Sequence, residues 1–199
     1  MPRAGGGHSA LHPCPFAARF SGSSEKQEAG RMQPINTTKS IIMKTIEKSI
    51  TVNVPVSQAY NQWTQFEEFP HFMEGVKEVK QLDDKRLHWK AEIAGKSEEW
   101  DAKITEQVPD KRIAWRSTSG AKNSGMINFS AQGANQTQVN LEVEYEPEGM
   151  LENLGDLLGL LSARVSGDLG RFKKFIETRH SATGGWRGEI PAPPGGGNI

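Results

Sequence analysis

Apolar residues alternate with polar ones through Ile46, Ile50, Val52 and Val54, a period of two that predicts a strand with one apolar side, closed by Pro55. In "VSQAYNQWTQ" the period changes: Ala59, Tyr60 and Trp63 fall at helical spacing, with Ser57 as the expected N-cap. "FEEFPHFM" adds a second short helical turn, interrupted by Pro70, which lacks the N–H a helix needs. Beyond Gly75 the period returns to two in six successive blocks, predicted as strands over 76–82, 86–94, 98–107, 112–118, 125–131 and 138–145. The separators "DDK", "GK", "VPDK", "SGAKNS" and "GANQT" have the turn chemistry of antiparallel neighbours, so a meander is expected. From about 150 to 179 the apolar positions Leu154, Leu157, Leu158, Leu161, Val165, Leu169, Phe172 and Ile176 recur every three or four residues, which predicts one long amphipathic helix.

The two ends read differently. Residues 1–42 are rich in Gly, Ser, Ala and Pro and hold neither period, so they are expected to be a disordered leader. They could equally reflect a start assigned too early, with Met43 of "MKTIEKSITVNVPV" as the native start. Residues 181–199 are again Gly- and Pro-rich and are expected to form a flexible tail, with Trp186 able to fold back. The domain expected between them spans 43–180.

Composition narrows the class. With 35% hydrophobic and 24% charged residues, and no apolar run long enough to span a bilayer, the chain reads as a globular protein. Its 24 basic and 24 acidic side chains cancel, but the leader holds five of the former and two of the latter, so the remainder is acidic by a margin of three. A nucleic-acid partner is therefore not expected. Cys14 is the single cysteine, which rules out an intramolecular disulfide and fits a cytoplasmic location. The five histidines are scattered, and no nucleophile elbow, phosphate loop or dinucleotide fingerprint is present, so neither a metal, a cofactor nor a nucleophilic catalytic set is expected.

The element order, and in particular "ITVNVPVSQAYNQWTQFEEFPHFMEGVKEV", "WDAKITEQVPDKRIAWRS" and "GDLGRFKKFIETR" followed by "GGWRGEI", resembles the START-like (SRPBCC) superfamily. Within it the chain looks most like the polyketide cyclase/dehydrase and coenzyme-Q-binding START-domain group. The resemblance implies an α+β helix-grip fold: a curved antiparallel sheet of about seven strands wrapped around the long C-terminal helix, with two short helices after the first strand. It also implies a cavity between sheet and helix. The superfamily hosts carriers and cyclases on one scaffold, so two functions stay open. One is non-catalytic binding of a small hydrophobic or amphipathic ligand such as a quinone, lipid or polyketide-like aromatic. The other is a cyclase or dehydratase using a polar residue of the same cavity.

Strand parity proposes the lining. Trp89, Trp100 and Trp115 share parity with apolar neighbours and are expected to point inward, either as core filling or as ligand contacts. On the same reasoning Met126, Asn128 and Tyr145 belong to the inner face, Leu158, Leu161 and Val165 to the helix side, and Phe72 and Met73 to the mouth. His88, Glu92 and Asp101 have the opposite parity to the tryptophans, and His71 lies beside the mouth without an identified partner, so none is assigned a catalytic role. Arg171, Lys173, Lys174 and Arg179 suit the C-terminal end of a helix dipole; membrane contact through so weak a patch would be transient only. The oligomeric state is not legible.

Overall fold

The computed structural model describes residues 43–93, 95–146 and 154–194, all within the compact unit Ser40–Ile199; the expected leader lies outside the described residues. The seven predicted strands form, with ends displaced by at most two residues: β1 (Lys44–Val52), β2 (Val76–Gln81), β3 (Arg86–Ile93), β4 (Lys96–Val108), β5 (Arg112–Gly120), β6 (Asn123–Gly133) and β7 (Gln136–Tyr145). They make one antiparallel sheet in the order β1-β7-β6-β5-β4-β3-β2. Every join from β2 to β7 is a sequential hairpin, as the turn signals require, while β1 pairs with β7, setting Ile46 opposite Val143 and Ile50 opposite Val139. Register shifts at Asp101/Ala102 and Ile104/Glu106 interrupt the β4–β5 ladder. Such bulges bend a strand and increase its twist, which helps the sheet curl over one face.

The chain crosses from the β1 edge to the β2 edge through α1 (Val56–Trp63) and a 3₁₀ helix (Phe66–His71). Ser57 does not cap α1. Pro55 takes that position with φ −57°, and no side-chain hydrogen bond caps the helix; Ser57 falls one residue inside it. A proline is suited to a helix entrance because its φ is already near the helical value.

The long helix α2 (Leu154–Arg179) divides in two. Its C-terminal half is core: Leu169, Phe172 and Ile176 are buried. Trp63 is the hub there, edge-on to Phe172 at 4.8 Å between centroids and to Phe69 at 5.3 Å, an arrangement favoured by the aromatic quadrupole. The N-terminal half is less covered, with Leu157, Leu158, Leu161 and Val165 half-buried and Leu160 46% exposed. The gap between this half and the sheet is where the cavity lies.

Residues 181–194 correct the expected tail. They run back along α1 as a strap: the Thr183 N–H donates to Gln62 Oε1 (3.0 Å), the Trp186 N–H to Thr64 Oγ1 (3.0 Å), and Ile190 and Gln107 exchange both backbone hydrogen bonds (2.8 and 2.9 Å). Arg187 forks onto both oxygens of Asp110 (2.8 and 2.7 Å), and the Ile190 side chain is 5% exposed. Gly184 and Gly185 let the strap lie close to α1 and the turn after it: a Cβ would stand 2.5 Å from Gln65 Oε1 at the first and 2.7 Å from Asn61 Cγ at the second, and those side chains would have to shift.

Candidate functional site

Between the concave face of the sheet and α2 lies a cavity of about 200 Å³. Trp89 and Trp100 are direct cross-strand partners on β3 and β4, so their rings stack at 5.5 Å and 9° and form one flat wall. Trp115 stands on the next strand, opposite Gly125. A Cβ at Gly125 would lie 2.4 Å from Trp115 Cζ2 and 2.6 Å from the Glu142 carbonyl, so the absent side chain makes the room in which the indole lies. Its Nε1 donates to Asn123 Oδ1 at 3.4 Å. Tyr145, Leu161 and Val165 also border the cavity, as does Met73, which follows the turn beyond Pro70.

Four expected lining residues lie elsewhere. Phe72 is 1% exposed and packs among Trp63, Phe69, Phe172 and Phe175, so it belongs to the core. Leu158 is half-buried on α2 but does not border the cavity. Met126 and Asn128 are on the opposite face of β6: Met126 sits beside Glu142 and Glu144, and Asn128 Oδ1 accepts from Arg112 Nε at 2.9 Å. The physical reason is that "GMINFS" carries apolar side chains in both parities, and the buried pair Ile127 and Phe129 outweighs Met126 in selecting the inner face.

Parity correctly turned the strand acids and bases outward. His88 Nδ1 is 2.7 Å from Asp101 Oδ1, and Glu92 extends to Lys77 at 3.6 Å. Hydrogen bonds from His88 and then Ser119 hold the Asp101 pKa below the usual carboxylate value. His71 has a partner after all, Glu68 at 3.2 Å. Among the described residues no cluster of His, Cys, Asp or Glu has a metal-binding arrangement, and no helix is long and apolar enough to cross a membrane.

Sequence reasoning missed Trp63, Phe66 and Phe69 on the wall and Glu74, Arg164 and Asp168 at its polar edge. The helical signal was available: Arg164 and Asp168 fall on the same stripe of α2 as Leu161, Val165 and Leu169. Arg164 Nη1 donates to the Glu92 carbonyl at 2.6 Å. Asp168 Oδ1 accepts the Glu74 N–H at 2.8 Å and a hydrogen bond from Arg171 Nη2, while Arg171 Nε reaches the Phe72 carbonyl at 2.9 Å. Burial pushes the Asp168 pKa up from the ordinary carboxylate value, and the Glu74 amide and Arg171 only partly offset it. One buried donor lacks an acceptor among the described residues, Trp89 Nε1.

A curved antiparallel sheet closed over a long C-terminal helix, with an apolar cavity between them, defines a START-like helix-grip protein. The chain belongs to the family described as polyketide cyclase/dehydrase and lipid transport, which it matches over residues 52–174. It is 47% identical over 149 residues to an uncharacterized 17.2 kDa protein of Streptomyces lincolnensis from the melC2-rnhH intergenic region, covering 74% of this chain and 99% of that one. The crystal structure of DR_A0006 from Deinococcus radiodurans is similar, with 31% identity, a TM-score of 0.55 and coverage of 68% and 99%. The Zhui aromatase/cyclase from Streptomyces sp. R1128 shares the fold at 17% identity, with a TM-score of 0.60 and coverage of 73% and 100%.

Proposed function

We propose that this protein binds and carries a small hydrophobic or amphipathic ligand in the cavity between sheet and helix, without transforming it. The observation that carries this reading is the cavity wall: three tryptophans from adjacent strands, with apolar side chains from the 3₁₀ helix and α2, around a space of about 200 Å³. Apolar walls with a few polar groups are the usual composition of small-molecule sites. The volume lies below the roughly 300 Å³ at which drug-sized pockets begin. It therefore suits a compact ring system, such as a quinone head or a polyketide-like aromatic, or a short acyl segment, and is too small for an entire two-chain lipid.

Native mass spectrometry of the protein as purified, with solvent extraction of the same sample, tests this. A bound lipophile of low mass is expected, and its displacement should change tryptophan emission because Trp89, Trp100 and Trp115 form the wall. Repeated recovery of empty protein, together with unchanged emission on titration with naphthoquinones and short fatty acids, would sink the proposal.

One feature favours the second reading, a polyketide-type cyclase or dehydratase. Asp168 is a carboxyl group on the cavity border with its pKa raised by burial, the condition a general acid requires. Turnover of a poly-β-ketone mimic by the wild type that is lost in Asp168→Asn, with ligand affinity retained, would move the assignment to the enzyme.

A further inference from the structure

The polar groups bordering the cavity point to the chemistry of the part of the ligand nearest the mouth. We infer that the ligand is an uncharged ring compound that presents a carbonyl-type acceptor oxygen to Arg164. This rests on the reading of the cavity as a ligand site.

Among the described residues six polar ones border the cavity: Glu74, Glu92, Asn123, Tyr145, Arg164 and Asp168. Most are already engaged. Glu92 offers its backbone carbonyl to Arg164 and extends its carboxylate to Lys77. Asn123 donates to the Ala121 carbonyl and accepts from Trp115, and Tyr145 is partnered within the protein. Asp168 and Glu74 share Arg171. Arg164 differs: Nη1 is held by the Glu92 carbonyl, and its other N–H groups have no acceptor among the described residues. A guanidinium carries five donors in a fixed plane, so anchoring one leaves the rest oriented.

The anchoring is built into the backbone. Gly75 has φ +80°, and a Cβ there would lie 2.8 Å from Arg164 Nη1 and 2.7 Å from the Glu92 carbonyl. Any other residue at 75 would occupy the place where the Arg164–Glu92 hydrogen bond is made. The turn after the 3₁₀ helix, the end of β3 and the middle of α2 thus meet around a single guanidinium beside an apolar wall.

Charge decides between a carbonyl and a carboxylate. With Asp168 ionised against Arg171, the described residues at the mouth supply two carboxylates, Glu74 and Asp168, and two guanidinium groups, Arg164 and Arg171, so it is balanced without a ligand. Asp168 lies one helical turn beyond Arg164 and couples electrostatically to it. An anionic head would add an uncompensated charge beside the largely covered Asp168 carboxylate, whereas a neutral oxygen accepts from Arg164 and leaves the balance intact.

The test is equilibrium dialysis of the full chain at pH 7 with three naphthalenes of matched size: 2-acetylnaphthalene (neutral acceptor), 2-ethylnaphthalene (no acceptor) and 2-naphthoate (anion). The ketone should bind at least about tenfold more tightly than either of the others, as a hydrogen bond from a charged donor provides. Arg164→Met, which keeps the apolar stem and loses one exposed hydrogen bond, should level the ketone with the ethyl compound, and Arg164→Lys should restore part of the difference. Naphthoate binding as tightly as the ketone, ketone and ethyl compound binding alike, or a ketone preference that survives Arg164→Met would each overturn the inference while leaving the carrier reading in place. Binding of none of the three overturns the inference, and the carrier reading falls with it when the protein as purified is also recovered empty.

Discussion

Ile190→Ala distinguishes a strap from a tail. The side chain is 5% exposed, and its backbone exchanges two hydrogen bonds with Gln107, itself buried. Truncating a buried isoleucine to alanine costs about 2–5 kcal/mol, the spread reflecting how far the site can collapse. A strap can settle into the space more easily than a core strand, so the lower part, about 2–3 kcal/mol, is expected here. For a domain of this size each kcal/mol moves Tm by about 2–4 °C, giving a fall of about 4–12 °C. Arg187→Ala is the internal control: its fork onto Asp110 is half-exposed, and such pairs are worth about 0.2–1 kcal/mol. Thermal unfolding followed by circular dichroism would rank Ile190→Ala well below Arg187→Ala and the wild type. An Ile190→Ala protein within 1 °C of wild type, or less affected than Arg187→Ala, would refute the view that 181–194 is part of the folded unit.

Three further outcomes follow from the same geometry. Tyr60→Phe should cost about 1–3 kcal/mol in denaturant unfolding, because Gln107 Nε2, 3.0 Å from the phenol oxygen, would be left buried without an acceptor. The Tyr60 phenol has its pKa raised above 10, chiefly by burial. The folded state thus retains its proton longer than the unfolded one, so the associated stability is complete below pH 10 and is lost as pH rises above it; this alkaline loss should be smaller in Tyr60→Phe. Asp101 behaves in the opposite sense: its lowered pKa contributes stability above the ordinary carboxylate pKa that disappears as pH falls through the folded value, so the acid limb of the wild type should be steeper than that of Asp101→Asn. Gly125→Ala should destabilise by about 1–3 kcal/mol through overpacking and also weaken ligand binding, since the new Cβ displaces Trp115; thermal unfolding and dialysis of the same sample measure both.

Much of the fold was legible because two periods, two and 3.6, carry it. Strand alternation also placed the three tryptophans on one face, and spacing placed Leu161 and Val165 under the sheet. It failed at β6, where Met126, Ile127 and Phe129 put apolar groups in both parities and only packing against Tyr60 and Trp63 selects the inner set. It failed again for Phe72, whose neighbours Phe172 and Phe175 are a hundred residues away in sequence.

What the sequence determined by itself is therefore local: element type, hairpin order and the amphipathic stripe of α2, each set by backbone geometry and the burial of one face. Helical spacing alone sets Arg164 and Asp168 on the cavity stripe of α2; which partners hold them there was decided only by the tertiary structure. Arg164 acquires its position from a glycine at 75 and a carbonyl at 92, and the strap acquires its stability from Gln107 and Asp110. Such contacts join segments with no shared period, so nothing in the chain's local pattern encodes them. They exist because the curved sheet brings distant backbone together at one end of a helix.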